Sequence, residues 1–464
     1  MNGQEHATRI EQFRKRVYQN FSKRADTMMD LLDALCSQTH AKSVVELSLE
    51  SCYQRSYSTI FKALAKYNPE VGELSELAGP ELPKRQERKY WLLGVDVTPQ
   101  PRPYARTLKE RGFVYQPTVI KGNKPITIGH QYSTIALLPE KDQTQPVPWV
   151  VPLSVQRVQT HQKKSEAGAE QMNKVLGHKA LPFDKQLCVE VGDSDYSQPR
   201  YLSANRKHRN FISIVRSRGN RVYYQLIHEN DTGGAPKRYG ERFGLRDPDT
   251  WHSPGEQVTL PFTSRRGHHY QVDIRAWHNM IMPGKVKPVR IRMHRYHFTL
   301  VRIIVLDEDE KPVYQHPLWL LVVGERRHEL GLEDIHQAYV QRSDLEHFFR
   351  FGKQKLLLAS FQTPEIAREE NWWHLVHLAY LQLWVTKDVA AYLPRPWERY
   401  LPIYKNGAIS ATLVQRNFQY LLSQFGSPAK HPKPRGNSSG RKLGFRLAPR
   451  PRQNLVRKSE IPPS

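Results

Sequence analysis

Tyr339, Arg342, Glu346 and Lys353 are separated by two, three and six intervening residues. If the stretch is helical, rotation of 100° per residue brings all four within about 60° of one another. One narrow face then carries a phenol, a guanidinium, a carboxylate and an ammonium. Such a face suits phosphate: Arg342 and Lys353 neutralise it, Tyr339 donates a hydrogen bond, and Glu346 offers hard oxygen ligands to a divalent cation. The plainer alternative is a solvated face on which Glu346 pairs with Arg342 or Arg350 at helical spacing. The helix is expected from about Glu333 to Leu358, docked through Ile335, Leu345, Phe348, Phe349 and Leu356 to Leu358.

Further acids stand where two apolar runs end. Tyr90 to Val97 (YWLLGVDV) reads as a buried strand with a single acid, Asp96, and the TPQPRP that follows is expected to leave the strand. Leu187 to Val191 (LCVEV) reads as a second strand, delivering Asp193 and Asp195 with Tyr196 beside them. Sheet proteins place reactive groups at such ends, although a lone aspartate there also serves as a turn former or cap.

The helical spacing is similar to the Tyr-Arg-Glu-Lys signature of one branch of the DDE insertion-sequence transposases. LLGVDVTP resembles that family's first acid motif and GDSDYSQPRYL its second, in which an acid precedes a tyrosine by three residues. Asp193 fits that spacing to Tyr196 better than Asp195, and both stay candidates. The resemblance spans roughly Tyr90 to Val385. It implies an α/β (α+β) fold: a ribonuclease-H-like mixed-sheet catalytic core, interrupted by an all-β insertion and preceded by a helical domain. It also implies that Asp96, Asp193 and Glu346 are the catalytic acids and the ligands of two Mg2+ ions, replaceable by Mn2+ and about 3.5–4 Å apart. Tyr339, Arg342 and Lys353 would hold DNA. The implied partners are double-stranded DNA, both transposon ends and target, and a second copy of the chain.

The remaining pattern gives these residues a scaffold. Residues 8 to 38 carry Ile10, Phe13, Val17, Phe21, Leu31, Leu32 and Leu35 among Arg14, Lys15, Arg16, Lys23 and Arg24, an amphipathic basic helix or helix pair. A further helix follows Ser43. Residues 1–85 are thus expected to form a helical unit, read either as a DNA-binding module or as a cap with an ordinary charged surface. Core strands at Phe113 to Val119, Ile126 to Leu138 and Trp149 to Val158 suggest an antiparallel meander, followed by a helix over 166 to 179. The core's first part is set at 86–205.

Between Asp193 and Glu346 lie 152 residues, too many for a simple connection. They read as strands at Asn210 to Val215, Arg221 to Ile227, Gln257 to Phe262, His269 to Ala276, Val289 to Leu306 and Leu318 to Val323. The insertion is placed at 206–315 and the second part of the core at 316–400. RIRMHRYHFTLVRI, from Arg290, would set Arg and His on alternate positions of a strand facing DNA or solvent. The helix NWWHLVHLAYLQLWV, from Asn371, carries His374 and His377 on one face, read as core rather than as metal ligands. Residues 401–464 end in a basic stretch from Ser427 expected to be disordered and to bind phosphate backbone without sequence preference.

Composition narrows the function. With 70 Lys and Arg against 45 Asp and Glu, the formal charge is +25, which points to a polyanionic partner. No apolar run approaches the roughly 20 residues that span a bilayer. Three scattered cysteines, Cys36, Cys52 and Cys188, suggest neither a disulfide framework nor a zinc knuckle, and a reducing cytoplasmic, nucleoid-associated setting is expected. Two other functions compete with a transposase: a nuclease of the same fold without strand transfer, and a noncatalytic basic nucleic-acid-binding protein whose acids are structural.

Overall fold

The computed structural model describes residues 3–115, 125–141, 147–227, 239–264, 267–284, 293–401, 409–433, 444 and 448–456. The expected α/β class is observed. Four helices, α1 (Gly3–Asn20), α2 (Ala25–Ser37), α3 (Ser58–Leu64) and α4 (Glu73–Ala78), lead into a mixed sheet of twelve strands. The first four strands are β1 (Trp91–Pro101), β2 (Gly112–Tyr115), β3 (Ile126–Leu137) and β4 (Val151–Arg157). β3 lies antiparallel to β1 on one side, and on the other meets β2 through its first residues and β4 through its last. After α5 (Lys164–Leu176), β5 (Cys188–Gly192) returns parallel to β1. After α6 (Pro199–Ala204), β6 (Phe211–Arg216), read from the sequence as the first intervening strand, lies parallel to β5.

The chain then adds β7 (Val222–Gln225), β8 (Arg242–Gly244), β9 (Glu256–Thr263), β10 (His269–Ile281), β11 (Phe298–Leu306) and β12 (Leu318–Val323). The sheet runs β2-β3-β1-β5-β6-β12-β11-β10-β7-β8, with β9 beside β10. These strands continue the same sheet through the β6–β12 pairing. An aromatic cluster of Phe243, Trp251, Trp277 and Trp319, with ring centroids 5.1–6.5 Å apart, fills the space over this part.

Two faces of β1 make two different contacts because successive side chains alternate. A Cβ placed on Gly94 would come within 2.6 Å of the Leu345 side chain on α8 (Ser343–Lys355), while Val95 packs 3.5 Å from the same test atom on Gly168 of α5. Helices therefore cover both faces, and Asp96 and Thr98, in step with Gly94, look toward α8. Beneath lies α9 (Ile366–Tyr392), apolar around nearly its whole circumference and buried along most of it. Trp373 of α9 stacks on Tyr132 of β3 at 4.0 Å. On its other side it packs against α1, α2 and α10 (Ala411–Phe425), a helix that the sequence reading passed over.

Several expectations are corrected. β1 does not stop before TPQPRP but runs to Pro101. It pairs with β5 only as far as Gly94, so beyond that point one edge is open and a proline nitrogen facing it deprives the ladder of nothing. RIRMHRYHFTLVRI is not one strand: residues 290–292 lie outside the described residues, Met293–Arg295 form a 3-10 turn, and the strand begins at Phe298. Of the strand expected over Phe113 to Val119, residues 116–119 lie outside the described residues. Arg14 is not a surface cation. It is buried, with Nη1 2.5 Å and Nη2 2.8 Å from the two oxygens of Asp33 on α2 and Nη1 3.1 Å from Gln382 of α9.

Much of the basic C-terminal stretch lies outside the described residues. The part that is seen is tied down: Arg450 reaches Glu365 at 3.1 Å, and the amides of Gln453 and Val456 donate to the carbonyls of Arg106 and Arg111. No helix among the described residues is long and apolar enough to cross a membrane.

Candidate active site

The helix expected over Glu333 to Leu358 is two helices end to end, α7 (Leu332–Gln341) and α8, divided at Arg342. Arg342 keeps helical backbone angles, but the bonds around it shorten to the i to i+3 kind, Arg342 to Tyr339 and Leu345 to Arg342. A 3-10 step inside a helix is a place where it can bend. The four spaced residues nevertheless keep a common side, which faces the end of β1. Leu345, Phe348 and Phe349 are buried.

The register of β1 against β5 pairs Gly94 with Val191. Asp96 lies two residues past Gly94 and Asp193 two past Val191, beyond the last paired residues, and the charge of Asp193 reaches Asp96. Asp193 begins a 3-10 turn, and its Oδ1 accepts the Asp195 amide at 2.8 Å. Burial raises the Asp193 carboxyl, with the neighbouring Asp195 charge adding to the effect. Asp96 is pushed up to about 6, chiefly by burial; Arg342 pulls it back, while Asp193 and Glu346 raise it further. Asp195 points to cations instead, 3.3 Å from Lys164 and 2.9 Å from Arg218. Of the two strand-end candidates, Asp193 is the one facing Asp96.

Arg342 joins the third acid to the first. Its Nη1 lies 3.5 Å from Asp96 Oδ2 and its Nη2 2.6 Å from Glu346 Oε1. The Glu346–Arg342 pairing foreseen as the plain alternative is therefore present, but the same guanidinium also bridges to β1. Lys353 Nζ donates to Thr98 Oγ1 at 2.7 Å. Burial raises the Tyr339 phenol, which shares a side-chain hydrogen bond with Arg342 and feels Arg216 from the end of β6.

The donor set has the right chemistry for a hard divalent cation: carboxylates from the middle of β1, the turn after β5 and α8, of which Asp193 and Glu346 both raise Asp96. Among the described residues no three acids, histidines or cysteines already form a metal-binding group. Arg342 supplies the positive charge between Asp96 and Glu346. Tyr196 adds a second sign that the site expects another occupant. It is buried against Gly168 and Gly192, within the fields of Asp96 and Asp193, and its hydroxyl has no hydrogen-bond partner.

Sequence reasoning missed the rim. Lys164, Arg216 and Arg218 come from the start of α5 and the end of β6, and the only signal for them was that β6 ends at the same edge as β5. His374 and His377 are core residues, as expected. Tyr67 Oη lies 2.7 Å from His374 Nδ1, and His377 bonds the Trp373 carbonyl at 2.8 Å and the Thr134 hydroxyl at 2.9 Å.

A protein-family model described as DDE superfamily endonuclease matches residues 16–283, more than half of the 464-residue chain. The matched span takes in Asp96 and Asp193 and ends before Glu346. No curated protein matches the chain.

Proposed function

The chain belongs to the DDE superfamily endonucleases, enzymes that act on DNA, and from that premise we propose that it is a DNA transposase of the Tyr-Arg-Glu-Lys branch. It cuts transposon ends and joins them to target DNA. Asp96, Asp193 and Glu346 are the catalytic acids. The observation that carries this reading is that Asp96 on β1 feels both Asp193, just past the neighbouring β5, and Glu346, which Arg342 ties to it from α8. The order of an antiparallel β1–β4 group, with β2 and β4 sharing one side of β3, followed by the parallel β5 and β6, with the third acid on a late helix, supports a ribonuclease-H-like core.

Asp96, Asp193 and Glu346 would hold two magnesium ions, which when bound lower the pKa of the attacking oxygen and stabilise the departing 3′-oxygen. The protein's own part is placement. β1 and the turn that follows β5 hold the two aspartates in place, so little reorganisation of these carboxylates is needed at the moment of reaction. Lys353, held by Thr98, sets a positive charge where β1 emerges. Arg342 and Tyr339 then orient backbone phosphates by charge-assisted bonds, and Lys164, Arg216 and Arg218 extend the positive rim. Two ends must be brought together, which makes a dimer on DNA the working assembly.

The test is magnesium-dependent cleavage of the DNA flanking the gene by purified protein and by Asp96→Ala, Asp193→Ala and Glu346→Ala variants. Each variant is expected to lose cleavage by at least 10³-fold, about 4 kcal/mol in barrier, while still binding duplex. Normal cleavage by all three would overturn the assignment. A second duplex in the reaction separates the nearest alternative: cleaved ends that never join it would indicate an endonuclease without strand transfer.

A further inference from the structure

Arg342 occupies an unusual place for a residue assigned to hold phosphate. Its guanidinium is committed to protein carboxylates, 2.6 Å from Glu346 and 3.5 Å from Asp96, with its side chain only 19% exposed, and Asp193 also lies within its electrostatic reach. Those are the three carboxylates assigned to metal. One guanidinium cannot lie between them and also leave their oxygens free for a divalent cation. Nor can it lie there and offer its full fork to a DNA phosphate. The arrangement has an exit, since Arg342 sits in the 3-10 step between α7 and α8. Tyr339 hydrogen-bonds the Arg342 side chain and also feels the charge of Arg216 at the end of β6. Two guanidinium groups that both act on one phenol have the chemistry to receive a phosphate.

We propose that Arg342 is an exchangeable cation: without DNA it neutralises Asp96 and Glu346 in place of metal, and an incoming backbone phosphate draws it off and opens the acids to the ions. This rests on the catalytic reading above and adds to it an order of assembly. Metal loading and DNA binding are then positively coupled through one side chain, and by linkage each tightens the other by the same factor. A protein with this device keeps its acids capped until substrate is present.

The coupling is read by Mn2+ binding, followed as loss of the free-ion paramagnetic resonance signal, with no measurement of cleavage. The intact chain is titrated alone and with a short blunt DNA duplex, the duplex by itself serving as blank. Alone it is expected to bind Mn2+ weakly, and with duplex at least tenfold more tightly. Arg342→Gln is expected to bind Mn2+ at least tenfold more tightly than the unmodified chain without duplex, and to gain little when duplex is added. Asp96→Asn in the Arg342→Gln background should abolish that gain, which assigns the ion to this site.

Equal Mn2+ affinity of the unmodified chain with and without duplex overturns the exchange, and this measurement requires no variant to fold. Arg342→Gln binding no more tightly than the unmodified chain, with an unchanged melting temperature, overturns it as well. Failure of the catalytic reading looks different: no Mn2+ beyond the Asp96→Asn level in any protein, with duplex or without.

Discussion

The ammonium of Lys353 donates to the hydroxyl of Thr98 at 2.7 Å. This one bond ties the last turn of α8 to the strand that carries Asp96, and burial correspondingly lowers the lysine's proton affinity. Thr98 is itself buried, so Thr98→Val leaves the ammonium short of a partner. The expected loss of stability is about 1–3 kcal/mol, measured by urea denaturation. Lys353→Gln should weaken duplex binding whatever the sequence and reduce the slope of log affinity against log salt by about 1. An unchanged slope would remove Lys353 from the DNA surface.

Asp96 is expected to be costly to the fold. Burial pushes its carboxyl to about 6 against an ordinary 3.8, so the folded protein holds this proton more tightly than the unfolded chain does. Its contribution to stability is therefore largest below about pH 4 and is lost as pH rises through 6. The loss is at most about 3 kcal/mol, with the pairing to Arg342 already included. Asp96→Asn, inactive in cleavage, should melt at a higher temperature than the unmodified protein at pH 7.5, with the gain shrinking toward pH 4. A gain independent of pH, or none, would show that the carboxylate is not strained by burial.

His374 and His377 act in the opposite sense. Burial lowers them from 6.5 to about 3 and about 4 respectively, so the unfolded chain takes up protons that the folded one refuses. Stability is full above pH 6.5 and falls as pH drops below it, by about 1.4 kcal/mol per unit for each group. His377→Gln should flatten the decline between pH 6.5 and 4.5 in denaturant melts. A decline of unchanged steepness would assign the acid sensitivity elsewhere.

The N-terminal helices are expected to fold with the sheet rather than apart from it. Arg14 and Asp33 form a buried two-armed pair that Gln382 of α9 joins. Arg14→Met strands a buried carboxylate and should cost about 3–5 kcal/mol, whereas Arg14→Met with Asp33→Leu should recover most of it. Calorimetry of the single variant is expected to show one transition, shifted down as a whole. Two transitions, with only the smaller one moved, would mean that residues 1–85 form an independent unit.

Sequence alone determined whatever depends on near neighbours along the chain. The side shared by Tyr339, Arg342, Glu346 and Lys353 follows from helical rotation, and an interruption at Arg342 did not destroy it because the backbone there stays helical. The apolar runs ending at Asp96 and Asp193 announced strands, since a buried strand must be apolar on both faces. The charge of +25 is a property of composition and needed no fold.

Tertiary structure decided what depends on partners distant in sequence. That Asp193 rather than Asp195 acts on Asp96 depends on β5 lying beside β1 and on Lys164 and Arg218, which hold Asp195. That Pro99 and Pro101 stay within β1 depends on where β5 ends, and that Arg14 is core rather than surface depends on α9, more than 350 residues away along the chain. The capping of Asp96 and Glu346 by Arg342 belongs to the same class. Strand order, register and the face a helix covers are long-range pairings, and local spacing carries no information about them.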